Sequence, residues 1–388
     1  MRSWLESLPR GGGGLARPLL APLSALYGLL SDLRVRAYGG GWLKSSSAGR
    51  PVVSVGNLVS GGGGKTPLVD WLLRTAAGQG ARPACLSRGY GRKGSSDLIR
   101  LKLSEGAGAR PEHTGDEPAM LARRNPEIPF YIGASRVRAS RLALVWDDPG
   151  LFIMDDGFQH LALARDLDLV LVDSVRLLGN EKPLPLGPLR EPLSALSRAH
   201  ALVFTRMPLE PEGVEEHGAG FPGILDDFIQ KARQAAGHEL PVFRCDYRPR
   251  RLRRLAGGEE RPLEALRVRE AALLCAIANP WAFSATIREL GASVARLHDL
   301  PDHDPYDPRT LAEINRLLEE APADPFSGDQ APVWVTTEKD AVKLEVRLEE
   351  GTLRPENAAK LWVLEMDAVP EPAFREFFLE FLRARGLL

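Results

Sequence analysis

Cysteine is scarce in this chain of 388 residues: Cys85, Cys245 and Cys275 are all there are, and no CxxC pair occurs. Neither a disulfide framework nor a cysteine-rich zinc site can be built from them, and the expected compartment is reducing. Long apolar runs are also missing; the leucine-rich stretch 18–31 holds 14 uncharged residues, short of the roughly 20 that a membrane-spanning helix needs. Nor is either charge in excess. Fifty Lys and Arg stand against 51 Asp and Glu, which removes the basic surplus of a dedicated nucleic-acid binder. What remains is a globular composition, 44% apolar and 26% charged, with enough length for two or three domains. An enzyme or a binding domain fits it.

The near-zero total hides an uneven distribution. Residues 1–50 carry seven Lys and Arg against two Asp and Glu, a formal +5, leaving −6 for the rest. Within them Leu19, Leu23, Leu26, Leu30 and Leu33 recur at helical spacing, widened by Leu20 and Tyr27, and Arg34, Arg36 and Lys44 follow. The run enters Asp32 and two arginines rather than a small-residue cleavage site, so a signal peptide reads poorly. The spacing predicts a retained amphipathic helix, weakened at Pro22; it fits either a helix packing its leucines on the domain or one lying on an anionic membrane surface.

Residues 51–73, PVVSVGNLVSGGGGKTPLVDWLL, read as strand, glycine-rich turn and helix, the context of a P-loop. Gly61, Gly62, Gly63 and Gly64 let backbone N–H groups approach phosphate oxygens, and the helix start adds a positive dipole end. Lys65 is then placed for the β- and γ-phosphates and Thr66 for Mg²⁺. Val59 stands where the standard pattern has glycine. LFIMDDGFQH (151–160) ends a buried strand on Asp155 and Asp156, either of which could hold Mg²⁺ directly or through water. With LDLVLVD (167–173) and ALVFTR (201–206), these runs argue a P-loop NTPase-like α/β fold, a mainly parallel sheet flanked by helices. PVFRCDYR, AALLCAIAN, APVWVTTEK and LWVLEMDAV predict a second, smaller α/β unit. The expected division is a membrane-surface segment at 1–44, a P-loop domain at 45–235 and a C-terminal domain at 236–388.

Seven ordered motifs, GNLVSGGGGKTP, LSRGYGRK, GDEPAML, DDGFQH, LPLGPLREP, PDHDPY and TTEKDAVKL, resemble tetraacyldisaccharide 4′-kinase, the lipid A 4′-kinase of Gram-negative bacteria, over about residues 20–345. The resemblance implies transfer of the ATP γ-phosphoryl group to the 4′-hydroxyl of a tetraacylated glucosamine disaccharide 1-phosphate, with Mg²⁺ as cofactor. It also implies that the N-terminal helix associates with the membrane, placing the enzyme at the cytoplasmic face of the inner membrane, peripheral or monotopic. The partners are then the lipid substrate and the anionic surface, with no nucleic acid and no obligatory protein partner. By the same matching Lys65 and Thr66 are the phosphate and metal residues, Asp116 the catalytic base, His303 its partner and Arg136 an arginine near the reacting phosphate. Asp155 and Asp156 lie by the metal, Glu191 by the nucleotide, and Gln159 and His160 complete DDGFQH. Departures are modest: Gly63 where the family commonly has Thr, Asp304 where a second His often follows, and Ala276 and Ala278 where glycines are common.

Several readings stay open at this level. An alcohol needs a positioned base, which suits Asp116, yet Asp before Glu-Pro also fits a helix cap. His303 either tunes Asp116 or shuttles its proton. Arg88, Tyr90 and Arg92 follow a strand ending near Leu86; with Gln159 they are the candidate contacts to the disaccharide or its 1-phosphate, a purely structural turn being the other reading of the three. RPRRLRR (248–254) reads as a solvated linker face, with acidic headgroups as the other option. The rival function is a membrane-associated P-loop switch ATPase, which has no need of an Asp116–His303 pair; a small-metabolite kinase gives no reason for the leucine-rich N-terminus.

Overall fold

The computed structural model describes residues 17–61, 64–92, 98–106, 108–207, 221–326 and 331–388; Gly62 and Gly63 of the glycine run lie outside them, as do residues 1–16. Helix α1 (Arg17–Gly39) runs through Pro22 without a break. Next come β1 (Val52–Gly56), α2 (Lys65–Gly78), β2 (Pro83–Ser87), β3 (Leu98–Leu101), α3 (Asp116–Arg124), β4 (Phe130–Gly133), α4 (Arg136–Trp146), β5 (Leu151–Asp155), β6 (Leu167–Asp173), β7 (Ala201–Thr205) and α5 (Phe221–Ala236). Strands β1, β2 and β4 to β7 are buried along their whole length, which is why they read as unbroken apolar runs rather than as alternating ones. They pair in parallel, with β3 antiparallel at the edge.

The chain continues with β8 (Val242–Arg254), β9 (Glu260–Arg261), β10 (Glu270–Cys275), α6 (Pro280–Glu289), β11 (Ser293–Asp299), α7 (Pro308–Glu319), β12 (Val333–Thr337), α8 (Glu338–Glu349), β13 (Leu361–Pro370) and α9 (Pro372–Ala384). Among the described residues the strands form a single sheet, ordered β11-β10-β12-β13-β8-β7-β6-β1-β5-β2-β4-β3, with β9 beside β8. β8 is the junction. Its first residues pair in parallel with β7, while Cys245 to Arg254 pair antiparallel with β13, to which β12, β10 and β11 run parallel. The second set of strands therefore points back at the first, and the carboxyl edges of the two sets face each other.

RPRRLRR is not a linker. It forms the second half of β8, with Leu252 fully buried and Arg251 and Arg253 both paired with Glu365 of β13. Alternation of one buried leucine with paired arginines gives the run its polar look. The sheet continues across residue 236, and α9 returns to the first half: Phe374, Phe378 and Leu382 pack with Leu68, Leu72 and Val53 in one core. A separate core under α7 and α8 joins Leu311, Ile314 and Leu318 to Leu274 and Val363.

Helix α1 lies on this body by its small and polar side. Ser24 Oγ donates to Pro183 O at 2.7 Å, Tyr27 Oη to Arg190 O at 3.0 Å, and Gly28 sits against the Pro183 ring. Its leucines face away: Leu23, Leu26, Leu29, Leu30 and Leu33 are each 52–57% exposed. These five leucines do not pack onto the domain. No helix among the described residues is long and apolar enough to cross a membrane.

Candidate functional site

The loop from β1 to α2 leaves the carboxyl edge of the first strand set, and Gly64 stands where it enters the helix. Gly64 precedes the helix with φ of 66°, the left-handed region that glycine enters freely. Its carbonyl accepts the Tyr247 hydroxyl, and any Cβ here would overlap the Tyr247 ring, so β8 backs the loop from the other half of the chain. Lys65 opens α2; its ammonium is 3.2 Å from Asp156 Oδ1 and 3.4 Å from Asn57 Oδ1. Thr66 is buried beside it.

Asp155 and Asp156 end β5 in different surroundings. Asp155 is 2% exposed; one oxygen meets Ser87 Oγ at 3.3 Å and the other, Oδ1, has no hydrogen-bond partner among the described residues. Burial, with Glu117 and Asp156 nearby, pushes its carboxyl up to about 7 against the pull of Lys65 and Arg136. Asp156 is spoken for, because both its oxygens lie 2.9 Å from Arg190 Nη1 and one also meets Lys65. Burial opposes its charge, but Lys65 and Arg190 prevail and hold the carboxyl below its ordinary value.

Arg136 starts α4 behind Ser135, which caps the helix. It is 4% exposed; among the described residues Nε has no hydrogen-bond partner, and Nη1 donates to Ala134 O at 3.4 Å. Burial lowers its pKa, opposed by Asp155 and Asp156. Among the described residues the guanidinium forms no ion pair, although Asp155 and Asp156 are near enough to act on it. Glu191 is 2% exposed and bonded by Arg198 at 2.7 Å, with Gln159 Nε2 at 3.4 Å. Gln159 also donates to Asn57 O at 2.9 Å, which ties DDGFQH to the phosphate loop. His160 is desolvated among Arg136, Arg165 and Arg34, and its pKa falls to about 4.

Across the cleft, Asp116 and His303 meet although they are 187 residues apart: Nδ1 lies 3.0 Å from Oδ2. Gly115, with φ of 89°, occupies the cap position and Asp116 is the first helical residue, so the alternative of Asp116 as N-cap is corrected. Burial works against the carboxylate, but the His303 bond, Lys343 at 3.5 Å and Lys339 outweigh it and hold the pKa below the ordinary value. Lys339 Nζ is 3.2 Å from His303 Nε2. An ammonium only donates, so Nε2 accepts and Nδ1–H is assigned as donor to Asp116. Tyr90, 64% exposed, stands 6.0 Å from the His303 ring, and Arg88 is exposed in the same turn after β2.

The sequence-predicted residues thus gather on the two facing edges, apart from Gly62 and Gly63, which are not described. Three groups were missed. Lys339 and Lys343 stand in TTEKDAVKL, and their spacing of four on α8 was the available signal; Arg190 is the neighbour of Glu191 in LREP and could have been read as the acids' counter-charge.

Among the described residues no cluster of three His, Cys, Asp or Glu side chains forms a self-sufficient metal site. Mg²⁺ nonetheless fits. It takes few protein ligands and several phosphate and water oxygens, and the orphaned Asp155 Oδ1 at the end of β5 and the Thr66 hydroxyl at the start of α2 are of the oxygen chemistry it requires.

Comparison with known proteins agrees on one family. The family model described as "LpxK: Tetraacyldisaccharide-1-P 4'-kinase" matches residues 16–383. A tetraacyldisaccharide 4'-kinase of Geobacter metallireducens is 40% identical over 332 residues, covering 85% of this chain and 89% of the relative. One from Pelobacter propionicus is 38% identical over 328 residues, 84% and 82% of the two chains. Among solved structures, the "apo" form of LpxK from Aquifex aeolicus in complex with ATP superposes with a TM-score of 0.69 at 28% identity, covering 94% of this chain and 99% of the other.

Proposed function

The chain belongs to the tetraacyldisaccharide-1-phosphate 4′-kinase family, and from that premise we propose how its two facing edges carry out the reaction. The enzyme transfers the γ-phosphoryl group of ATP to the 4′-hydroxyl of tetraacyldisaccharide 1-phosphate in lipid A biosynthesis. ATP lies along Gly61–Gly64 and the start of α2, where backbone N–H groups and Lys65 meet its phosphates. Asp155 and Thr66 would hold Mg²⁺, which would supply charge neutralisation on the phosphate oxygens. Asp156 keeps Lys65 and Arg190 in place, and Arg136, a buried guanidinium whose Nε has no hydrogen-bond partner among the described residues, faces the transferring group.

Asp116 takes the proton of the 4′-hydroxyl as the O4′–Pγ bond forms and the bond from Pγ to the β-phosphate oxygen breaks, releasing ADP. A carboxylate held below its ordinary pKa is a weak base, so the proton moves late. His303 Nδ1–H keeps the accepting oxygen oriented. Arg88, Tyr90 and Gln159 receive the sugar headgroup. The observation that carries this reading is the Asp116–His303 bond across the two carboxyl edges, which a nucleotide switch does not need.

Helix α1 sets the enzyme on the bilayer. It turns Ser24, Gly28 and Ser31 to the protein and leaves its leucines out, the reverse of a core helix, with Trp42 89% exposed just beyond its end. An interfacial helix with basic residues following it has this form. The enzyme then works as a peripheral or monotopic protein at the cytoplasmic face of the inner membrane, its P-loop domain (45–235) and smaller C-terminal domain (236–388) closing over the headgroup. The test supplies radiolabelled ATP and tetraacyldisaccharide 1-phosphate in detergent micelles. Asp116→Ala is expected to abolish lipid phosphorylation while retaining ATP binding; undiminished transfer would overturn its role as base.

A further inference from the structure

Arg124, at the far end of α3 from Asp116, has every N–H of its guanidinium engaged. Nε and Nη2 grip the two oxygens of Glu338 at 2.7 and 3.0 Å; Nη1 reaches Asp70 at 2.7 Å and Asp367 at 3.0 Å; Nη2 also donates to Met366 O at 2.8 Å. The side chain is 12% exposed and Asp70 1%. These partners come from different elements: Asp70 from α2, Glu338 from the start of α8, Met366 and Asp367 from β13. Glu338 in turn accepts Met366 N at 2.9 Å, and Asn125 Nδ2 holds the second oxygen of Asp70 at 2.7 Å.

The three helices joined here are the ones whose residues meet in the cleft. α2 opens on Lys65 and Thr66, α3 on Asp116, and α8 carries Lys339 and Lys343, which touch His303 and Asp116. α3 and α8 lie antiparallel, laced in order by Arg124–Glu338 and Asp116–Lys343, with Glu112–Arg347 and Arg110–Glu350 continuing the ladder into the turn before α3. One end of the seam is the proposed base; the other is Arg124, eight residues and about 12 Å of helix away.

We propose that Arg124 is a positioning residue for phosphoryl transfer: by clamping the end of α3 to the start of α8, it fixes Asp116 against His303 and Lys343 and so sets the register of the base across the cleft. The proposal rests on the reading of Asp116 as base. Lysine keeps the charge but has three donors on one atom and cannot match a carboxylate bidentately, so Arg124→Lys loosens the clamp without leaving an unpaired buried carboxylate. A displacement of the order of 1 Å at a reacting group costs up to about a hundredfold in rate.

The experiment is a double-mutant cycle on the full-length enzyme, using single-turnover phosphorylation of tetraacyldisaccharide 1-phosphate in micelles, with ATP affinity by calorimetry and thermal melts as fold control. Arg124→Lys is expected to lower the transfer rate about ten- to a hundredfold with ATP affinity within threefold. In an Asp116→Asn background, where the base is already gone, the same change is expected to cost less than threefold. Glu338→Gln, which removes the clamp's charge from the other side, is expected to behave alike and serves where Arg124→Lys does not fold. Equal losses in both backgrounds, or a loss of ATP affinity matching the loss of rate, would make the clamp merely structural and overturn the proposal. If Asp116→Asn alone leaves the rate unchanged, the reading of the base fails instead, and the positioning role fails with it.

Discussion

The sharpest test of the charge arrangement at the base is Lys343→Met. Lys343 Nζ lies 3.5 Å from Asp116 Oδ2, and the two side chains are 7% and 14% exposed. Two unit charges at that separation interact by about 4.7 kcal/mol at an effective dielectric of about 20, and by about 1.2 kcal/mol at that of water. Divided by 1.36 kcal/mol per pK unit, these bounds are about 3.5 and 0.9 units. With Lys339 and His303 still in place, the expected rise in the Asp116 pKa is about 1 to 3 units. The sign follows from the role: Asp116 must be ionised to accept a proton, its carboxyl is held low in the intact site, and loss of a neighbouring cation raises it. The acid limb of the transfer rate therefore moves towards alkaline pH. Rates are measured under single-turnover conditions between about pH 4.5 and 9, so that product release does not mask the limb. A limb that stays within 0.5 unit, or moves to acid pH, would refute the electrostatic account of the base.

Other consequences can be checked separately. Leu26→Ser with Leu30→Ser removes two half-exposed leucines, about 2 kcal/mol of burial each, so co-sedimentation with anionic vesicles is expected to weaken by 10²-fold or more while activity in micelles stays within threefold. Gly64→Ala puts a Cβ into the Tyr247 ring at a position of positive φ; the KM for ATP is expected to rise about tenfold or more with the far-ultraviolet spectrum unchanged. Asp155→Asn keeps the shape of the side chain and removes its charge, and is expected to raise the Mg²⁺ concentration for half-maximal rate at least tenfold. Asp156→Asn, whose oxygens already belong to Lys65 and Arg190, changes that Mg²⁺ dependence less, and equal effects would count against Asp155 as the direct ligand.

What could be read from the amino acids divides along physical lines. Strands such as LFIMD and LDLVLVD are legible because burial on both faces leaves an unbroken apolar run, and the turn from β1 into α2 is legible because its glycines, Lys65 and Thr66 stand together in one short segment. RPRRLRR misleads for the opposite reason: Arg248 and Arg254 pair with the nearby Asp246 and Glu259, but Arg250, Arg251 and Arg253 are balanced by Asp367, Glu365 and Glu345, more than 90 residues away in the chain. Lys343 and Arg124 stayed silent in the same way, since a buried charge acquires meaning only from its partner and no local pattern names that partner. The facing of the two carboxyl edges has a simple origin that no single motif contains: one strand of 13 residues pairs in parallel with β7 and then antiparallel with β13. That reversal gives the site its logic. A parallel sheet alone offers one edge for ligands, so nucleotide and acceptor would share it; two opposed edges let the phosphate loop come from one side and His303 from the other, with Asp116 bonded across the gap. The proposed base then depends on both halves of the chain, since Asp116 comes from the first and His303, bonded to it at 3.0 Å, from the second.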